Sequence, residues 1–230
     1  MGSTTTTTST EQARPATGPG LFLVLEGVEG AGKTTQAAML AAWLRGRGHA
    51  VTVTREPGGT DAGEAVRAVL LDRPDLELSA ETELLLVLAA RAALVRQVVE
   101  PAVAQGKMVV ADRFSLSTFA YQGYGRGLDL PEVQRLDRFA RGGLEPDLVV
   151  LLDLPVREGA RRQRAVGKGS DRIEGAGARF HERVAAGYHD FARREPSDAR
   201  TIQVVDGLGT PDEVHERIVA VLRAQFPGTF

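Results

Sequence analysis

The decapeptide GVEGAGKTTQ, Gly27 to Gln36, gathers the residue types that binding a row of phosphates demands. Its spacing, Gly27-x-x-x-x-Gly32-Lys33-Thr34, fits the phosphate-loop pattern without substitution. Glycines let backbone N–H groups curl around phosphate oxygens, and a helix starting there adds the positive end of its dipole. Lys33 is placed to neutralise charge between the β- and γ-phosphates, and the Thr34 hydroxyl to ligate Mg²⁺. The loop Gly27, Val28, Glu29, Gly30, Ala31, Gly32, Lys33, Thr34 and Thr35 is therefore expected to hold a nucleoside triphosphate.

Other residues could handle a second ligand. Arg55 precedes the turn-rich Glu56-Pro57-Gly58-Gly59-Thr60, and an Arg is suited to bidentate contact with phosphate. Glu29 lies inside the phosphate loop, where a carboxylate is costly unless a metal ion or a hydrogen bond compensates it. Arg91 interrupts an otherwise apolar helix face and must find a partner. Thr118, Tyr121 and Gln122, at i, i+3 and i+4, share one helix face. Arg157, Arg161, Arg162, Arg164, Lys168 and Arg172 crowd the segment REGARRQRAVGKGSDR. Phosphoryl transfer needs cationic clamps and the phosphate loop carries no Arg, so a mobile lid here is expected to bring them while expelling water.

A scaffold has to position these groups. Short apolar runs at 21–26, 50–54, 107–111, 148–153 and 201–205 alternate with helical patterns at 33–46, 61–71, 80–104, 113–122, 131–140, 155–166, 174–194 and 211–226. That rhythm predicts an α/β fold, a parallel sheet with helices on both faces, and the nearly continuous apolar runs read as strands buried on both sides. Pro101 is expected to kink the third helical pattern or to mark a junction within it. The candidate residues follow the carboxyl ends of strands, where open parallel sheets collect their ligands.

Composition narrows the options further. The 230 residues contain no cysteine, which excludes disulfides and thiolate chemistry, and the four histidines lack metal-ligand spacing. A formal net charge of −2 gives no global pull toward nucleic acid or an anionic membrane. No apolar run approaches the ~20 residues of a spanning helix. Residues 1–19, Thr-rich and ending in Pro and Gly, are expected to form a disordered tail, leaving a single domain over 20–230 and a cytoplasmic protein.

A phosphate loop alone leaves GTPases, ATPase motors and small-molecule kinases open. A guanine-reading Asn-Lys-x-Asp tetrad is missing, and nothing reads as a motor's sensor segment. The blocks EGVEGAGKTT, TREPGGT, DRFSLSTFAYQGYGRG and SDRIE, in that order and joined by LAAR and EPDLVVLLDL, resemble the thymidylate kinase family over essentially all of 20–226.

That resemblance implies a P-loop three-layer sandwich, with five parallel strands in the order 2-3-1-4-5 and a lid at about 157–172. It implies transfer of the γ-phosphoryl group of ATP, with Mg²⁺, to dTMP. Arg55 and Pro57 would face the acceptor phosphate, Asp112 would hold the metal through water, and Arg113 would reach that phosphate. Glu29 would meet the sugar hydroxyl or the metal shell, Arg91 the thymine carbonyl, Tyr121 the deoxyribose, and Thr118 and Gln122 the base. Bacterial-type members carry catalytic arginines in the lid, and Arg162 and Arg164 match best, although one usual lid Arg falls on Val166 and an extra residue stands near Gly169. Many members place Phe where this chain has Val87, which removes an aromatic stack on the base. A homodimer through the helix at 80–104 is also implied. Two rival readings are a kinase for another deoxypyrimidine monophosphate and a non-catalytic nucleotide-sensing module.

Overall fold

The computed structural model describes residues 20–73, 75–165, 172–193 and 202–230. The tail 1–19 and the lid positions Val166, Lys168 and Gly169 lie outside the described residues. Five strands, β1 (Phe22–Glu26), β2 (Val51–Arg55), β3 (Met108–Asp112), β4 (Leu148–Asp153) and β5 (Ile202–Asp206), form one sheet in the order β2-β3-β1-β4-β5. Every pairing is parallel. β1, β3 and β4 are buried on both faces as their composition predicts. The expectation fails for the two outer strands: Val53 is 44% exposed and Val204 50%. An outer strand has a neighbour on one side only, so the helical layers do not enclose it fully.

Side chains alternate even along these largely apolar strands, and this divides the core in two. Leu23, Leu25, Val110, Val150 and Leu152 meet Leu40 and Leu44 of α1 (Lys33–Arg45) and Ile218 and Leu222 of α9 (Pro211–Gln225). Phe22, Val24, Val109, Ala111 and Leu151 face the other way. They meet Leu84 and Leu88 of α3 (Ala80–Leu94) and Val184 and Tyr188 of α8 (Ala178–Arg193). α2 (Asp61–Leu71) packs on α3, α6 (Leu130–Arg141) also packs on α3, and α7 (Val156–Ala165) follows β4. None of the described helices is long and apolar enough to cross a membrane.

Two helical patterns change pitch. After α3 the chain widens into a π-helical stretch, Val95–Val99, before α4 (Glu100–Ala104), whose first turn contains Pro101. Proline lacks an N–H and its ring clashes with the carbonyl four residues back, and the wider turn accommodates both. The expected junction is therefore present. The pattern at 113–122 resolves differently, into a single turn, α5 (Ser115–Thr118), and a π-helical stretch, Phe119–Gly125. Glycines let α8 approach that stretch: a Cβ on Gly125 would lie 2.6 Å from the Phe180 ring.

Candidate active site

The phosphate loop leaves β1 at Gly27 and enters α1 at Gly32. A Cβ on Gly27 would lie 2.6 Å from the Leu152 carbonyl oxygen, and the residue's φ of 142° suits glycine. Helices α2, α3, α6 and α9 begin with side-chain caps from Thr60, Ser79, Asp129 and Thr210. α1 has no such cap and no acidic residue in its first turn. Its N-terminal N–H groups are left to an anion. Lys33 lies folded across the loop, its Nζ donating to the carbonyls of Gly27 at 3.0 Å and Val28 at 2.8 Å. Burial, reinforced by Arg113, lowers its pKa to about 7.

Thr34 Oγ1 donates to Asp112 Oδ2 at 2.6 Å, bringing the start of α1 to the end of β3. A hydroxyl and a carboxylate are hard oxygen donors that suit Mg²⁺, which keeps several waters and takes the rest of its shell from phosphates. No group of three His, Cys, Asp or Glu side chains among the described residues could hold a metal on its own. A phosphate-shared ion does not require one.

The cleft in front of this loop has a volume of about 690 Å³ and runs from Pro211 and Val214 on one side to Val87, Arg91 and Gln122 on the other. Arg113 lines it with φ 77°, a left-handed conformation unusual for a residue with a side chain. Its Nη1 donates to the Gly27 carbonyl at 3.0 Å, Ser117 Oγ at 3.1 Å and Tyr188 Oη at 3.0 Å, and its Nη2 to Tyr121 Oη at 3.3 Å. Burial works against its charge, but the oxygens of Tyr121, Tyr188, Glu29 and Asp112 outweigh burial and hold its pKa high.

Beneath Arg113 lies Glu26, fully buried. It accepts from the Phe114 N–H at 2.8 Å and the Ser117 N–H at 3.0 Å, and from Ser117 Oγ at 2.6 Å and Tyr188 Oη at 3.2 Å. Burial raises its pKa, partly offset by Arg113 and by the bonds from Ser117 and Phe114. Glu26, Ser117 and Tyr188 were not singled out by sequence. The available signal was a carboxylate ending a strand buried on both faces, since such a group must be paired.

The structure brings Glu29, Arg55, Pro57, Thr118, Tyr121 and Gln122 to the same cleft. Glu29 lies 4.0 Å from Arg113 and accepts from Gln163 Nε2 at 3.1 Å. Arg55, half exposed, pairs with Glu64 at 3.0 Å. Arg67, another residue sequence reading passed over, also lines the cleft and donates to the Pro57 carbonyl at 2.9 Å. Thr118 Oγ1 is buried without a hydrogen-bond partner.

Arg91 has the partners its setting demands, and they are carboxylates. Its Nε donates to Glu56 at 2.9 Å and its Nη1 to Asp137 at 2.6 Å, and its Nη2 also bonds Glu56. Burial would lower its pKa, but Glu56 and Asp137 reverse that and raise it. Arg141 extends the buried network, donating to Asp137 at 2.9 Å.

The lid arginines separate. Arg162 lines the cleft, with its Nε 3.0 Å from Glu158 and its Nη2 3.1 Å from the Gly207 carbonyl. Arg164 is exposed and does not line it, and Arg161 is turned to Glu158. Arg172 is bound at 2.7 Å to Glu83 on α3.

A phosphate loop after the central strand of a 2-3-1-4-5 parallel sheet, opening into one cleft whose far wall is lined by arginines, belongs to P-loop nucleoside monophosphate kinases, a class of phosphotransferases. The family model for thymidylate kinase matches residues 25–218. A thymidylate kinase of Desulfosudis oleivorans is 49% identical over 208 residues, 88% of this chain and 96% of that protein. One from Deinococcus radiodurans is 50% identical over 204 residues, again 88% and 96%. The crystal structure of thymidylate kinase from Ehrlichia chaffeensis superposes with a TM-score of 0.72 at 30% identity, covering 89% of this chain and all of that one. The chain belongs to the thymidylate kinase family.

Proposed function

We propose that the chain transfers the γ-phosphoryl group of ATP to dTMP, giving dTDP and ADP, through the residues now described. The observation that carries the residue assignment is the single cleft shared by an uncapped phosphate-loop helix and an arginine-lined pocket. ATP lies on Gly27 to Thr35, its phosphates replacing the carbonyls that Lys33 now touches. Mg²⁺, held by Thr34 and through water by Asp112, would neutralise charge on the β- and γ-phosphates.

Arg55 and Arg113 hold the acceptor phosphate, and Tyr121 lies under the sugar. An oxygen of the dTMP phosphate attacks the γ-phosphorus in line as the bond to the β–γ bridging oxygen breaks and the electrons leave on ADP. The acceptor oxygen is already ionised near neutral pH, so no strong base is needed. Arg162 neutralises the transferring group, and Arg91, Thr118 and Gln122 read the base. Residues 20–230 act as one domain in the cytoplasm, working as a homodimer through the α3–α4 region. Leu85 on α3, 58% exposed, and Phe139 on the adjoining α6, 86% exposed, support that surface.

The test is a coupled ADP assay with dTMP, dUMP and dCMP as acceptors, beside Lys33→Ala. Rapid turnover with dTMP, lost in the variant, is expected. ATP hydrolysis indifferent to dTMP would refute the assignment.

A further inference from the structure

We infer that Glu83, which does not itself line the cleft, decides which pyrimidine the base pocket accepts by fixing the orientation of the Gln122 carboxamide. The inference rests on the dTMP kinase reading above.

Glu83 is a buried carboxylate on α3, 1% exposed. Its Oε1 accepts from Gln122 Nε2 at 2.8 Å, and its Oε2 accepts from Arg126 Nη2 at 2.9 Å and Arg172 Nη2 at 2.7 Å. Burial pushes its pKa up, but the bonds from Arg126, Gln122 and Arg172 outweigh it and hold the pKa below the ordinary value. Glu83 is thus ionised at neutral pH and can only accept hydrogen bonds.

A carboxamide has one donating end and one accepting end. With one Nε2 N–H committed to Glu83, the amide orientation is fixed and Gln122 keeps Oε1 as an acceptor for whatever occupies the cleft it lines. The reverse orientation would set Oε1 against a buried carboxylate, acceptor facing acceptor. Eight residues further along α3, Arg91 uses three N–H groups on Glu56 and Asp137 and keeps two of its five. The pocket wall therefore offers a donor at Arg91 and an acceptor at Gln122.

Thymine and uracil present the complement along one edge, an accepting O4 beside a donating N3–H. Cytosine presents the inverse, a donating 4-amino group beside an accepting N3, and is mismatched at both positions. A site built this way rejects the wrong edge because its own buried groups are left unpaired. Glu83 is a positioning residue: it touches no substrate and acts through Gln122.

The test measures dissociation constants by calorimetry and kcat/KM for dTMP and dCMP on the full chain, in wild type, Glu83→Gln and Arg126→Ala. A glutamine at 83 can present either end of its amide, so the dTMP/dCMP preference should fall at least tenfold. Arg126→Ala leaves Arg172 and Gln122 on the carboxylate and should leave that ratio unchanged. Independently of whether Glu83→Gln folds, the side-chain amide of Gln122 is followed by ¹⁵N–¹H NMR in wild type, assigned with Gln122→Met. It should stay hydrogen-bonded and unshifted as dTMP binds; an amide that moves onto the base overturns the inference. A wild type selective for dTMP whose selectivity survives in a folded Glu83→Gln overturns it alone. Selective binding of dTMP without phosphorylation refutes the activity, and loss of that selectivity in Glu83→Gln still supports the role of Glu83.

Discussion

The backbones of Gly30 and Gly159 touch: a Cβ on Gly30 would lie 2.3 Å from the Gly159 carbonyl oxygen, and one on Gly159 would lie 2.2 Å from that of Glu29. The phosphate loop and the first turn of α7 meet main chain to main chain, and together with the Gln163–Glu29 bond this links the lid helix to the donor site. Glycine inside a helix costs about 1 kcal/mol relative to alanine, and this contact accounts for its presence.

Gly159→Ala should therefore force α7 away from the loop. Overpacking of this kind costs roughly 1–3 kcal/mol. Melting should fall by roughly 2–10 °C, while kcat/KM for ATP drops at least tenfold because Arg162 is carried off with the helix. Steady-state kinetics beside a thermal melt check it. Wild-type kinetics in the variant would mean that the lid helix does not depend on this contact.

Lys33 makes ATP binding a proton-linked event. Without ligand its pKa is lowered to about 7, chiefly by burial, so above that pH the amine is largely neutral. A triphosphate favours the charged form and raises the pKa, so binding takes up a proton, and apparent affinity falls as pH rises from about 7.5 to 9. Calorimetry in buffers of different ionisation enthalpy should show uptake approaching one proton at pH 8.5. Lys33→Met should abolish it.

The sheet was legible because β1, β3 and β4 are apolar up to the carboxylate that ends each, and such runs fit few other structures. The exposure of β2 and β5 was not, since Val53 and Val204 carry no mark of lying at an edge. The π-helical stretch holding Tyr121 and Gln122 carries no local mark in the sequence, and the helix it packs on, α8 against Gly125, lies far along the chain. Residue types bearing on phosphate were readable from local spacing. Their supports were not: Glu26 reaches Ser117 and Tyr188, 91 and 162 positions away, and Arg91 reaches Glu56 and Asp137, 35 and 46 away.

Arg91 should matter to folding as well as to recognition. Arg91→Ala leaves Glu56 buried without its cation and Asp137 with Arg141 alone, and breaking a buried pair this way costs about 3–5 kcal/mol. Urea unfolding should show that loss, together with a raised KM for dTMP. A double variant, Arg91→Met with Glu56→Gln, removes the cation and neutralises one of its carboxylates and should recover part of the stability without restoring dTMP affinity. Full stability in Arg91→Ala would show that water compensates the carboxylates.

The two lid arginines should differ sharply in effect. Arg162 lies in the wall of the cleft that the phosphate loop also lines, held by Glu158 and the Gly207 carbonyl. Arg164 points to solvent. A guanidinium that meets charge developing on a transferring phosphoryl group contributes about 10³-fold or more to kcat, whereas an exposed charge acts through a screened field. Arg162→Ala should lower kcat by about 10³-fold with little change in melting temperature, and Arg164→Ala by less than tenfold. Glu158→Gln, which frees Arg162 from its carboxylate, should preserve kcat or raise it, because the guanidinium must leave Glu158 to reach the phosphates. Single-turnover rates at saturating ATP and dTMP isolate that step from product release. Equal losses at both positions would mean that closure rearranges α7 and brings Arg164 in beside Arg162.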